Sequence, residues 1–228
     1  MGRSTDNIIL SHNDAILRQS DLDILSGPEF LNDRIIEFYF SYLSSFHHHP
    51  SEEVLLVSPS ISFWILNCPD KDSLGDFLAP LKLADKKLVI FPVNNNDDVT
   101  VAEGGSHWSV LIFHRNARVF VHHDSYGGFN NVHARNLHSN VYSHMGISSK
   151  YLVAETPQQM NGYDCGIYVC AITRTVIEWF YSNVIPVKLT DLWLYVVSEQ
   201  VTPSVTSNMR KEILELVQCL MFEKKQEE

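Results

Sequence analysis

"QQMNGYDCGIYVCAITRTVIEWF", residues 158–180, sets a cysteine between an acid and a glycine, after a polar turn and at the head of a long apolar run. Through Ile172 the run is apolar on nearly every side and then turns amphipathic, which predicts a helix in the middle of a domain. Cys165 stands at the N-terminal end of that helix. There, unpaired backbone N–H groups and the helix dipole favour a negative charge, and with it the thiolate that nucleophilic attack needs. Free cysteine is also an ordinary packing residue. A nucleophile requires in addition a base that shuttles a proton and an acid that orients the base.

Working outward, "SHWSVLIFHRNARVFVHHDSYGG" (106–128) holds two apolar runs flanking a short polar turn, the pattern of a β-hairpin. If Arg115-Asn116 forms a two-residue loop, His107 falls opposite Asp124; a slip in register makes the pairing diagonal but keeps both at the open end. The hairpin thus offers His107 as base and Asp124 as its orienting acid. Gln159, on the turn before the cysteine, is a side-chain donor candidate for the developing oxyanion, together with the backbone N–H of Cys165.

The rest of the chain supplies the frame. "GPEFLNDRIIEFYFSYLSSF" (27–46) predicts a dense apolar helix capped by Asn32 or Asp33, and "SPSISFWILN" (58–67) a helix with Ser58 as N-cap and Pro59 at its first position. "KKLVIFPVN" (86–94) predicts a strand that runs into a long loop from Asn94 to Gly105, a candidate flap. A helix around Val132 to Met145, a strand in "KYLVAETP" (150–157) and two helices between residues 189 and 222 complete the order. Helices, a mainly antiparallel sheet and helices again give an α+β class. No linker divides the chain, so residues 1–228 are read as one catalytic domain.

Composition narrows the function. With 45% hydrophobic and 19% charged residues the chain is globular, and 17 basic against 27 acidic residues give a formal net charge of -10. Such a balance argues against nucleic-acid and anionic-membrane binding. No uncharged apolar window of about 18 residues occurs, and the N-terminus lacks an apolar leader core, so cytoplasmic or nuclear placement is expected. The scattered Cys68, Cys165, Cys170 and Cys219 fit reduced thiols; all but Cys165 are expected to pack. His122 and His123 point to opposite faces of a strand and have no second cluster to complete a metal site, so no metal or other cofactor is expected. His47-His48-His49 reads as a loop, Asp164 as a turn or N-cap residue, and Trp64, Trp179 and Trp193 as core.

"HWSVLIF", "HHDS" and "PQQMNGYDCGIYVC", in that order, resemble the Ulp/sentrin-type cysteine proteases, which remove ubiquitin-like modifiers from proteins. The resemblance covers nearly the whole chain and implies a papain-like fold with the triad His107, Asp124 and Cys165, and Gln159 at the oxyanion. It further implies that Trp108 walls a narrow tunnel for the modifier's C-terminal Gly-Gly. "FLND" (30–33) is similar to the family's substrate motif, usually written with Trp first; this makes Phe30, Asn32 and Asp33 substrate-binding candidates, Asp33 for an arginine of the tail. Phe30 is the departure. The chain's length and the opening "LSHNDAILRQSDLDIL" (10–25) are similar to the deneddylating branch, which implies a Nedd/Rub modifier, its cullin conjugates and a monomeric enzyme. A SUMO-specific protease, an acetyltransferase on the same scaffold, a modifier-binding module with a dead triad and a purely structural α+β protein are the rival readings.

Overall fold

The computed structural model describes residues 6–46, 52–70, 73–101, 104–182 and 192–227; the histidine run at 47–49 lies outside them. In chain order the elements are β1 (Ile8–His12), β2 (Ala15–Arg18), α1 (Gln19–Ser26), α2 (Asp33–Phe46), β3 (Val54–Leu56), α3 (Pro59–Asn67) and α4 (Leu74–Leu78). After these come β4 (Leu88–Asn94), β5 (Trp108–His114), β6 (Val119–His123), α5 (Asn131–Val141), β7 (Lys150–Val153), α6 (Cys165–Tyr181), α7 (Leu194–Gln200) and α8 (Pro203–Glu227).

β3 to β7 form one sheet in sequence order, and β1 and β2 a separate hairpin. The centre, β4–β5–β6, is antiparallel as expected, but β3 and β7 join its edges in parallel, so the sheet is mixed. β4, β5 and β6 are buried on both faces, which is why they read as continuous apolar runs. Leu88, Ile90, Val110 and Ile112 meet α2, α6 and α8 on one face; Val89, Phe91, Leu111 and Phe113 meet α3 and α5 on the other. α6 therefore runs through the larger core, with nearly every residue from Cys165 to Thr173 enclosed.

Local signals hold where expected. Ser58 caps α3 by accepting from Ile61 N–H at 3.3 Å, and Asn32 caps α2 by accepting from Ile35 N–H at 3.1 Å. The β5–β6 turn is longer than a two-residue loop. Arg118 takes a left-handed φ of 52° and its N–H donates to Arg115 O, so His114 pairs with Val119 and the register shifts. Trp193 and Trp179 are core, whereas Trp64 lies 39% exposed, stacked on Phe77 with ring centroids 3.9 Å apart. Cys170 is fully buried and its thiol is pushed up to about 12 by that burial, but Cys219, expected to pack, is exposed because it sits on the outer face of α8.

Candidate active site

The ends of β5 and β6 and the start of α6 converge at one end of the sheet. Asp124, the first residue beyond β6, holds His107 Nε2 at 2.7 Å, and the Cys165 thiol lies close enough to the same ring to act on its charge. The proximity expected from the sequence is therefore present, on a diagonal rather than a facing pair. All three residues are buried; Cys165 is 0% exposed.

The Asp124 carboxylate is fixed by backbone donors. Its Oδ1 also accepts from Tyr126 N–H at 2.9 Å, and its Oδ2 from Asn130 N–H at 2.8 Å. Burial works against its charge, but the hydrogen bonds from His107, Asn130 and Tyr126 prevail and hold its pKa below the usual carboxylate range. Burial likewise works against a charged His107. The bonds to Asp124 and Cys165, and their charges, overcome it and raise the ring to about 9. At neutral pH the imidazole is thus cationic beside the sulfur, the form that can pass a proton to a leaving group. The active form is lost as pH rises through the His107 value, so kcat/KM is expected to fall along an alkaline limb near pH 9. Asp124→Asn removes the carboxylate's charge; a pH profile should show that limb moved toward neutrality by about one unit, with rate lowered roughly 10- to 1000-fold. An unmoved limb would show that Asp124 does not set the protonation of His107.

Asn130 is a positioning residue that no sequence pattern announced. Fully buried, it donates from Nδ2 to the carbonyls of Val93 and His107 at 3.1 and 3.2 Å while its N–H holds Asp124. Gln159 lies on the turn before α6. Its Oε1 accepts from Ser125 Oγ at 2.8 Å and its Nε2 donates to Asn161 O at 2.7 Å, so the orientation of the amide is fixed and one N–H remains uncommitted by these two bonds. Asp164 occupies the N-cap position of α6 as expected, but φ of -88° and ψ of 7° keep its side chain from folding back onto the helix. It pairs instead with Arg210 of α8 at 2.8 Å, with 12% and 11% of the two side chains exposed. Arg210 also donates to the carbonyls of Ile24, Gly27 and Glu29, joining the segment before Phe30 to the head of the catalytic helix. By compensating the Asp164 carboxylate, it removes a like charge from beside the nucleophile.

A cleft of about 200 Å³ opens beside His107. Phe30, Asn32 and Asp33 form one wall, and Gly104, Gly105, Ser106, His107 and Trp108 the other. The sequence-selected substrate set therefore comes together. Trp108 Nε1–H donates to Leu31 O at 2.9 Å and ties the two walls, while Leu31 rests on Gly166, where a Cβ would approach Leu31 Cβ to 2.7 Å. Phe30 is 46% exposed and available to a ligand. Asn32 lines the cleft, but its polar groups are committed: Nδ2 donates to buried Asp21 at 2.7 Å and Oδ1 caps α2. It shapes the cleft rather than presenting a polar group to it. Among the described residues, no cluster of metal-ligating side chains occurs. His122 bonds Ser109 and Asn131, His123 bonds Thr156 and Trp193, and burial drives both rings down, to about 4 and about 3, so they are neutral core residues.

A thiol at a helix N-terminus, a cationic imidazole on it and a buried carboxylate behind that ring, on an α+β frame, define a papain-like cysteine protease. The chain matches the Ulp1 protease family, C-terminal catalytic domain, over residues 29–185, and it belongs to that family. It is 50% identical to NEDD8-specific protease 1 of Arabidopsis thaliana, over 96% of this chain and 96% of that protein. It is 34% identical to sentrin-specific protease 8 of Homo sapiens, over 78% and 85%. The X-ray structure of the C-terminal Ulp1 protease domain in complex with Smt3, the yeast orthologue of SUMO, shares the fold with a TM-score of 0.68 at 19% identity, covering 96% of this chain and 90% of that one.

Proposed function

We propose that this protein is a thiol isopeptidase and processing peptidase that cuts after the C-terminal Gly-Gly of a ubiquitin-like modifier of the Nedd/Rub type. One observation carries the reading: the Cys165 thiol is wholly enclosed, and the cleft that leads to its partner His107 is small, its lining tied together by the Trp108–Leu31 bond. Only an extended chain without side chains can bring a carbonyl to such a sulfur, and Gly-Gly is that chain.

In the proposed cycle the Cys165 sulfur attacks the terminal glycine carbonyl, and the oxyanion is met by Gln159 and the backbone N–H of Cys165. As the C–N bond breaks, His107 passes its proton to the leaving amine, and a thioester remains. Water, deprotonated by His107, then releases the modifier and restores the thiol. Phe30 and Trp108 wall the tail, and Asp33 receives its arginine. The reaction requires no cofactor. Cullin conjugates are the proposed substrates, the enzyme acting as a monomer in the cytoplasm or nucleus.

The Nedd/Rub tail carries an alanine where ubiquitin has an arginine shortly before Gly-Gly. A narrow cleft rejects that larger cation by clash or by stranding its charge. A panel of C-terminal fluorogenic modifiers should therefore give kcat/KM for Nedd/Rub at least about 100-fold above ubiquitin, roughly 2.7 kcal/mol of discrimination, with SUMO poorer still. SUMO turned over fastest would overturn the modifier assignment. Phe30→Trp should leave the fold intact and lower KM, because the larger ring covers more of the tail; KM equal to wild type would place Phe30 away from the substrate.

A further inference from the structure

The turn between β6 and α5 holds two aromatic rings in water beside the catalytic imidazole. Tyr126 and Phe129 are 54% and 55% exposed, and their ring centroids lie 5.8 and 5.6 Å from that of His107 and 6.1 Å from each other. The turn is braced to present them. Phe129 N–H donates to Tyr126 O at 3.1 Å and Gly127 N–H to Gln158 Oε1 at 2.7 Å. Gly127 and Gly128 take φ of 60° and 78°, a left-handed conformation in which a side chain is strained, and a Cβ on Gly128 would also run into Asn131. Neither ring lines the cleft of Phe30, Asp33 and Trp108.

For turnover, the leaving nitrogen must come within hydrogen-bonding reach of His107. With the acyl side of the scissile bond in the cleft, the leaving side lies where the cleft does not, and there the imidazole is flanked by these two rings. In a conjugate the leaving nitrogen is a lysine ε-nitrogen on a slim four-methylene stem, which packs well along apolar surface, and the ammonium released is attracted to ring faces. We propose that Tyr126 and Phe129 are the leaving-group subsite, gripping the lysine stem of the conjugated protein; this rests on the isopeptidase reading above.

Two probes separate the two sides of the bond. One is the Nedd/Rub modifier joined through a lysine ε-nitrogen to a short peptide. The other is the same modifier ending in a propargylamide, which adds the Cys165 thiol across its alkyne and places no leaving group beyond the sulfur. In Tyr126→Ser/Phe129→Ser, kcat/KM for the isopeptide should fall by about 10-fold or more while propargylamide labelling stays within about two-fold of wild type. Tyr126→Phe, which keeps the ring face, should cleave the isopeptide as wild type does. Equal losses on both probes, meaning that the rings act through His107, would overturn the subsite, and so would undiminished isopeptide cleavage. Failure of the wild-type enzyme to react with the propargylamide would instead overturn the Gly-Gly reading itself.

Discussion

Cys165→Ala is expected to abolish turnover, by roughly five orders of magnitude or more, while modifier binding stays within a few-fold of wild type. The thiol forms the covalent bond of the proposed cycle, and removing it leaves only whatever water attack the site still assists. It contributes little to an interface, since it is fully enclosed and the tail would be held by the walls at Phe30, Asp33 and Trp108. Alanine also fits the head of α6 without a buried polar group to satisfy. His107→Ala should be nearly as damaging, because the ring is both the cation beside the sulfur and the proton donor. Turnover of a fluorogenic modifier, beside calorimetric binding of the free modifier, reads both quantities. Cleavage by Cys165→Ala within about 100-fold of wild type would remove the nucleophile assignment.

Arg210→Ala carries the largest expected cost to stability. Its guanidinium makes the ion pair with Asp164 and donates to three carbonyls of the segment from Ile24 to Glu29, so truncation leaves the buried Asp164 carboxylate uncompensated, with Asn161 Nδ2 as its remaining side-chain donor, and frees three carbonyl acceptors. Breaking a buried pair from one side typically costs about 3–5 kcal/mol, and that loss is expected in denaturant unfolding. Activity should fall as well, since the stranded charge sits one residue from the nucleophile. Adding Asp164→Asn removes that charge and should recover part of the stability. A loss under about 1 kcal/mol for Arg210→Ala would show that the pair does not hold the two segments together.

The proposed catalytic trio was legible because each member marks an end of an element that periodicity reveals: Cys165 at the head of an apolar helix, His107 and Asp124 at the open end of a hairpin. Even so, the turn is longer than the two residues the sequence predicts. Nothing in "HRNAR" shows that Arg118 adopts a left-handed conformation and lengthens the loop. The parallel edges were illegible for a similar reason: β3 spans three residues, too short for a pattern, and strand direction depends on the path of the connection. The β1–β2 hairpin hides in "SHNDAIL", where Asn13 turns the chain with φ of 49°. Asn130 and Arg210 escaped because their partners are chiefly backbone carbonyls, which any residue supplies. Asn32 reads from the motif as a substrate contact; its bond to Asp21, eleven residues back, commits it to the fold.

The long-range reach of Arg210 also bears on synthesis. Its partners at Ile24, Gly27 and Glu29 leave the ribosome more than 180 residues before it does. A nascent chain therefore carries the thiol, the imidazole and the carboxylate well before the wall of the cleft is tied to the head of the catalytic helix. Docking of α8 brings the Arg210 contacts that tie these two segments together. Arg210 thus makes one wall of the cleft depend on the helix that is synthesised last, through contacts that no partly made chain can form.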